Sequence, residues 1–147
     1  TTLNIAGAES LPTAAAFKPY LDREAFGLVQ FDIATAGFTE GAKIASLAAV
    51  HQRPVAIHSW GTIVSALAGV HLGLATPNVA ITEYTFMDHP LNDRLSVEPI
   101  RPREGYFHAP TAPGLGVAFD DALLQEFPYV PAPNTMISTD EIDLRLM

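Results

Sequence analysis

The chain has 147 residues, 48% hydrophobic and 16% charged, with no cysteine and a formal charge of −8. That length suits one domain with a buried core, and that balance describes a globular chain, not a disordered one. The acidic surplus argues against nucleic acid and anionic membrane surfaces as partners, and the absence of cysteine excludes disulfides and thiolate metal sites.

In chain order, "TLNIAGAE" is a short strand-like run ending in Glu9, and "SLPTAAAFKPYLDREA" is a helix with Ser10 or Thr13 as N-cap. "GLVQFDI" is the second strand, ending at Asp32. "GFTEGAKIASLAAVHQ" follows as a helix with Ile44, Leu47, Ala48 and His51 at helical spacing and Thr39 as N-cap. "RPVAIHS" is the third strand, "GTIVSALAGVHLGLATP" a helix closed by Pro77, and "NVAITEY" a fourth strand ending near Glu83. Strand and helix alternate without hairpin signals, which favours parallel βαβ units. After residue 85 the pattern dissolves into proline-rich loops with one short helix, "DDALLQEF". The apolar runs are broken by His, Gly or Pro before they reach the length of a bilayer span. No membrane association is expected, and the location expected is cytoplasmic. The chain opens on Thr1 and enters a strand almost at once, as expected of a piece of a longer polypeptide.

Polar residues recur at the strand ends. Glu9, Asp32, His58 and Glu83 are spaced by 23, 26 and 25 residues, about one βα unit each. In a (β/α)8 barrel successive strand ends converge on one mouth, where catalytic groups sit. Each residue taken singly has a plain structural explanation. A carboxylate after a strand is often only the cap of the next helix, and a lone histidine is usually hydrogen-bonded and structural. Four in phase weaken that explanation.

The stretches "AGAES" with Glu9, "VQFDIATAGFTEGAKIASLAAVH" with Asp32, "PVAIHSWGT" with His58 and "ITEY" with Glu83 resemble the barrel of the mandelate racemase/muconate lactonizing enzyme family, in the enolase superfamily. The tail "VEPIRPREGYFHAPTAPGLGVAFDDALL" is similar to that family's closing segment. The resemblance implies an α/β fold. Residues 1–85 would be the C-terminal half of a (β/α)7β TIM-type barrel, about strands 5 to 8. Residues 86–147 would be an extended tail packing against the barrel and an N-terminal capping domain. It implies that Glu9 is the third carboxylate ligand of a Mg2+ ion, that Asp32 and His58 form an Asp–His dyad, and that Glu83 hydrogen-bonds the substrate carboxylate.

The implied chemistry suits those residue types. A proton α to a carboxylate is weakly acidic, so its removal needs a positioned base and a stabilised enediolate. Histidine titrates near neutrality, a partner aspartate fixes its tautomer, and a protonated glutamate donates to the far oxygen. The substrate implied is a small carboxylate such as an acid sugar, handled by dehydratase, racemase or cycloisomerase chemistry.

Departures from the family pattern bear on activity. The family's Lys-x-Lys base has no counterpart, because Lys18 and Lys43 fall in predicted helices. The first two metal carboxylates are absent. A single carboxylate binds Mg2+ poorly, since that ion gives up water reluctantly. The isolated chain is therefore expected to be inactive, the activity belonging to a longer parent. Ala8 stands where a second glycine is common in the family, and Ile57 where a proline often precedes the histidine; both are expected to be tolerated.

Two alternatives stand beside the enzyme fragment. One is a non-catalytic half-barrel or binding module. The other is a serine hydrolase using Ser59 with Asp88 or Asp93 and His108, although the elbow pattern lacks its first glycine at Ile57. Trp60 is expected to pack under the following helix, with a place in the pocket wall as the alternative; Tyr84 and Phe86 are candidates for the mouth, and His89, before Pro90, is expected in a turn. His51 and His71 are expected to be structural. Four strands alone would leave two long edges and an apolar face open, so a homo-oligomer is expected if the chain folds by itself.

Overall fold

The computed structural model describes residues 3–85 and 90–129. A four-stranded sheet of order β1-β2-β3-β4 is built from β1 (Ala6–Gly7), β2 (Leu28–Asp32), β3 (Val55–His58) and β4 (Val79–Thr82). Every pairing is parallel. The crossovers are α1 (Ala14–Leu21), α2 (Ile33–Val50) and α3 (Ile63–Ala75), followed by α4 (Pro90–Leu95) and α5 (Asp121–Glu126).

Alternation along the strands decides which side is which. Val29 and Phe31 on β2, and Val55 and Ile57 on β3, are fully buried against the helical layer with Phe17, Ile44, Ala48 and Leu72. Their in-between neighbours, Gln30 and Ala56, pair in register with Ile81 on the opposite face, where Ile81 is more than half exposed. The helices therefore cover one face of the sheet, and the other carries the polar strand ends. Gly41 lets α2 sit close, because a Cβ there would lie 2.7 Å from Leu72 Cδ2 and 2.9 Å from Phe31 Cε2.

Helix boundaries differ from the sequence expectation where side chains capture backbone amides. Thr13, not Ser10, caps α1, accepting from Ala16 N, while Glu40 on α2 accepts from Ala14 N at 3.1 Å. Asp32, not Thr39, caps α2. The helical stretch therefore begins about two turns earlier than expected, and it is broken at Gly37, whose φ of 66° only glycine adopts at low cost. Helix α4 was not anticipated. It begins on Pro90, a residue suited to a first helical turn, and its Asn92 accepts from Ile63 N at 2.8 Å. That contact caps α3, whose own N-cap Thr62 makes no side-chain cap bond. Leu95 and Leu123 pack with Ile63, Ala66 and Leu67, so the described part of the tail lies against α3. No helix among the described residues is long and apolar enough to cross a membrane.

Candidate active site

Three adjacent strands deliver the central groups. Asp32 and His58 are register partners at the carboxyl ends of β2 and β3. Glu83 follows β4 and extends its ladder, its amide donating to Ile57 O at 3.0 Å. Parallel partners present their side chains to the same face.

His58 Nδ1 lies 2.6 Å from Asp32 Oδ2, and Asp32 Oδ1 accepts from Thr35 N at 2.7 Å. The carboxylate is thus held at both oxygens. An ionised carboxylate only accepts, so Nδ1 is the donor of this contact, and in a neutral imidazole so held the lone pair is on Nε2. Nε2 faces two further carboxylates, Glu9 Oε2 at 3.4 Å and Glu83 Oε2 at 3.7 Å. Burial is graded across the group: Asp32 is 8% exposed, whereas the side chain of Glu9 is 54% exposed.

Glu9 arrives by a route that spacing does not reveal. Ala6 pairs with Leu28 and Gly7 with Val29, so plain continuation would set Glu9 beside Phe31, on the helix side. Ala8 breaks the alternation with a φ of 82°, packs its methyl group against the helical core, and releases Glu9 toward His58. A glycine-like position is therefore held here by alanine, at a cost of about 1–2 kcal/mol for an L-residue.

As a carboxylate, Glu9 is the kind of hard oxygen donor that Mg2+ takes. Among the described residues no group of three or more His, Cys, Asp or Glu is placed to hold a metal. A cation site is not completed within them.

Other candidate residues are placed differently. Trp60 does not pack under α3 but is 68% exposed within the β3–α3 loop, beside Gly61 with its φ of 134°. Tyr84 donates to Ile100 O at 3.0 Å and stacks edge-on against Phe107, which ties it to the tail. Ser59 is buried, its hydroxyl facing Ser65 Oγ at 3.4 Å, and its φ is not positive as a nucleophile elbow requires. His108 lines a separate cavity with Leu67, Glu98, Arg101 and Arg103. The hydrolase triad is therefore not assembled. Lys18 and Lys43 pair with Asp22 and Glu40 on the helices. His51 caps α2, 3.7 Å from Asp22. Phe86, Asp88 and His89 lie outside the described residues.

Sequence reasoning missed Gln30, whose side-chain amide donates to Glu83 Oε1. The available signal was its position two residues before Asp32, on the same side of the strand.

A parallel half-sheet with helices on one face, and an Asp–His pair flanked by glutamates at its carboxyl end, defines half of an α/β barrel with its polar groups gathered at the mouth. Comparison with known proteins agrees. The family model for the enolase C-terminal domain-like family matches residues 1–123, and the chain belongs to that family. A D-galactonate dehydratase family member from Pantoea ananatis is 35% identical over 118 residues, covering 76% of this chain and 27% of the relative. The mandelate racemase/muconate lactonizing enzyme from Sulfitobacter sp superposes with a TM-score of 0.79 at 32% identity, over 90% of this chain and 33% of its own. The 3,6-anhydro-D-galactonate cycloisomerase from Zobellia galactanivorans gives 0.76 at 32% identity, over 86% and 36%. The chain thus spans about a third or less of the length of these relatives. It is an enolase-superfamily chain related to acid-sugar dehydratases, racemases and cycloisomerases.

Proposed function

We propose that this chain supplies the Asp–His half of an active site that abstracts the proton α to a carboxylate of a small acid sugar. The observation that carries the proposal is the 2.6 Å contact between His58 Nδ1 and Asp32 Oδ2, with Nε2 turned toward Glu9 and Glu83. Nε2 takes the α-proton, and Asp32 supports the imidazolium that forms. In the protonated state Nε2 returns a proton, either to the same carbon or to a departing β-hydroxyl. Glu83, as an acid, hydrogen-bonds the substrate carboxylate as it becomes an enediolate. Glu9 would contribute one carboxylate to a Mg2+ site completed by segments outside this chain. When bound, that ion would offset the charge of the enediolate.

Residues 1–85 are proposed as the C-terminal half of the barrel and 86–147 as the extension that packs on it and on a capping domain. The similarity to D-galactonate dehydratase family members and to an arabinonate dehydratase from Saccharolobus solfataricus motivates acid sugars as substrates. The isolated chain is proposed to be inactive. Exposed Leu3, Ile5 and Ile81 motivate self-association when it stands alone.

The test is α-proton exchange in deuterated water, followed by proton NMR with D-galactonate, arabinonate and related acid sugars plus Mg2+. In the full-length protein that carries this segment, exchange is expected and His58→Asn abolishes it. Undiminished exchange in that variant overturns the dyad role. Turnover by the 147-residue chain alone overturns the proposal that it is inactive.

A further inference from the structure

We infer that Gln30 is a positioning residue that decides which oxygen of Glu83 carries the acid proton. This rests on the acid role proposed for Glu83. Gln30 and Asp32 share one face of β2, two residues apart, and Gln30 pairs in register with Ala56. The small Ala56 side chain, on the strand between, leaves the span to β4 open. Across it, Gln30 Nε2 donates to Glu83 Oε1 in a part-buried contact.

Glu83 therefore has two unlike oxygens. Oε1 is occupied by an amide N–H, and an oxygen already accepting along that direction is a poor place for a carboxylic proton. Oε2 is left as the hydroxyl-bearing oxygen, and it lies 3.7 Å from His58 Nε2. The proton donor and the base thus address the same space, where a substrate carboxylate and its α-carbon would sit side by side. Without Gln30, the Glu83 carboxyl is free to rotate, and half of its orientations point the proton away from that space. The neighbouring titratable groups are His58, Glu9 and Asp32 on the adjoining strand ends. None of them replaces the neutral donor that Gln30 provides.

Two measurements test this. In the full-length protein that carries the segment, Gln30→Met keeps side-chain length but removes the amide. Turnover is expected to fall about tenfold with KM nearly unchanged, the size expected for one hydrogen bond to an ionisable group. In a Glu83→Gln background the same change is expected to do nothing further, because its effect passes through Glu83. A full tenfold loss in both backgrounds, or no loss in either, overturns the inference.

The second measurement needs no activity and uses the 147-residue chain. The Gln30 side-chain amide protons are expected to exchange slowly with solvent, and Glu83→Ala should shift their resonances and speed that exchange. If those resonances ignore Glu83→Ala, the inference fails even where the enzyme works. If no acid sugar is turned over but the resonances respond, the substrate proposal fails and the placement of Gln30 stands.

Discussion

Asp32 and His58 face each other across register partners of a parallel sheet, so the 2.6 Å contact between Oδ2 and Nδ1 is fixed by strand geometry. The same carboxylate also starts α2, through Oδ1 and the amide of Thr35. One side chain thus serves both the backbone and the site.

Asp32→Asn separates those two duties. Asparagine caps a helix about as well as aspartate, so stability is expected to change by less than about 1 kcal/mol. Its amide would donate toward Nδ1, placing the imidazole proton on Nε2 and removing the base. Turnover in the full-length protein is expected to fall by about 10²–10⁴. Thermal melting and steady-state kinetics on the same samples check both halves, and equal losses in stability and rate would contradict the separation.

Ala8 governs how Glu9 reaches the site. A β-branched side chain at a φ of 82° is much less tolerable than alanine. Ala8→Val is expected to cost at least about 2 kcal/mol, beyond the roughly 1–2 kcal/mol already held at this position. Ala8→Gly should lose no stability. Urea unfolding of the two variants provides the comparison.

Close packing of α2 on the sheet is expected to reject a single methyl group. Gly41→Ala gains about 1 kcal/mol of helix propensity. It also drives a Cβ to 2.7 Å from Leu72 and 2.9 Å from Phe31. Overpacking of about 1–3 kcal/mol is expected to win, because the Phe31 ring is fully buried. A melting temperature raised by the substitution would show that the layer yields.

Acid should loosen the contact between α1 and α2. The Lys43 ammonium, followed by the Ala14 amide, holds the Glu40 carboxyl below its usual range. A depressed carboxylate contributes stability above its unfolded pKa and loses it as pH falls through the folded one. The urea midpoint of the parent is expected to drop below about pH 4, the ordinary carboxylate range. Glu40→Gln should drop less over the same interval, since glutamine still accepts from Ala14 and does not titrate.

Strand β2 was legible because fully buried residues flank a polar one at Val29-Gln30-Phe31, and β3 because the continuous buried apolar run Val55-Ala56-Ile57 stops at His58. The four polar strand ends were legible from their spacing alone. The start of α2 was not, because periodicity registers apolar faces and Asp32 acts through a backbone amide. Helix α4 spans only 6 residues, too short for a periodic signal, although Pro90 marks its first turn. Gln30 was passed over because its partner lies 53 residues away on a strand that is not its neighbour. The exposure of Trp60 depends on a loop conformation set at Gly61, which a pattern of apolar residues does not encode.

The capping of α3 by Asn92 has a consequence for how the molecule is made. As the polypeptide leaves the ribosome, the helix that follows His58 emerges with its first amide unanswered. It stays so until 29 more residues have been added. Proteolytic trimming that removes Asn92 would leave β1 to β4 intact and still fray the turn next to the histidine. Through Asn92, the described part of the tail thus bears on the turn that follows His58.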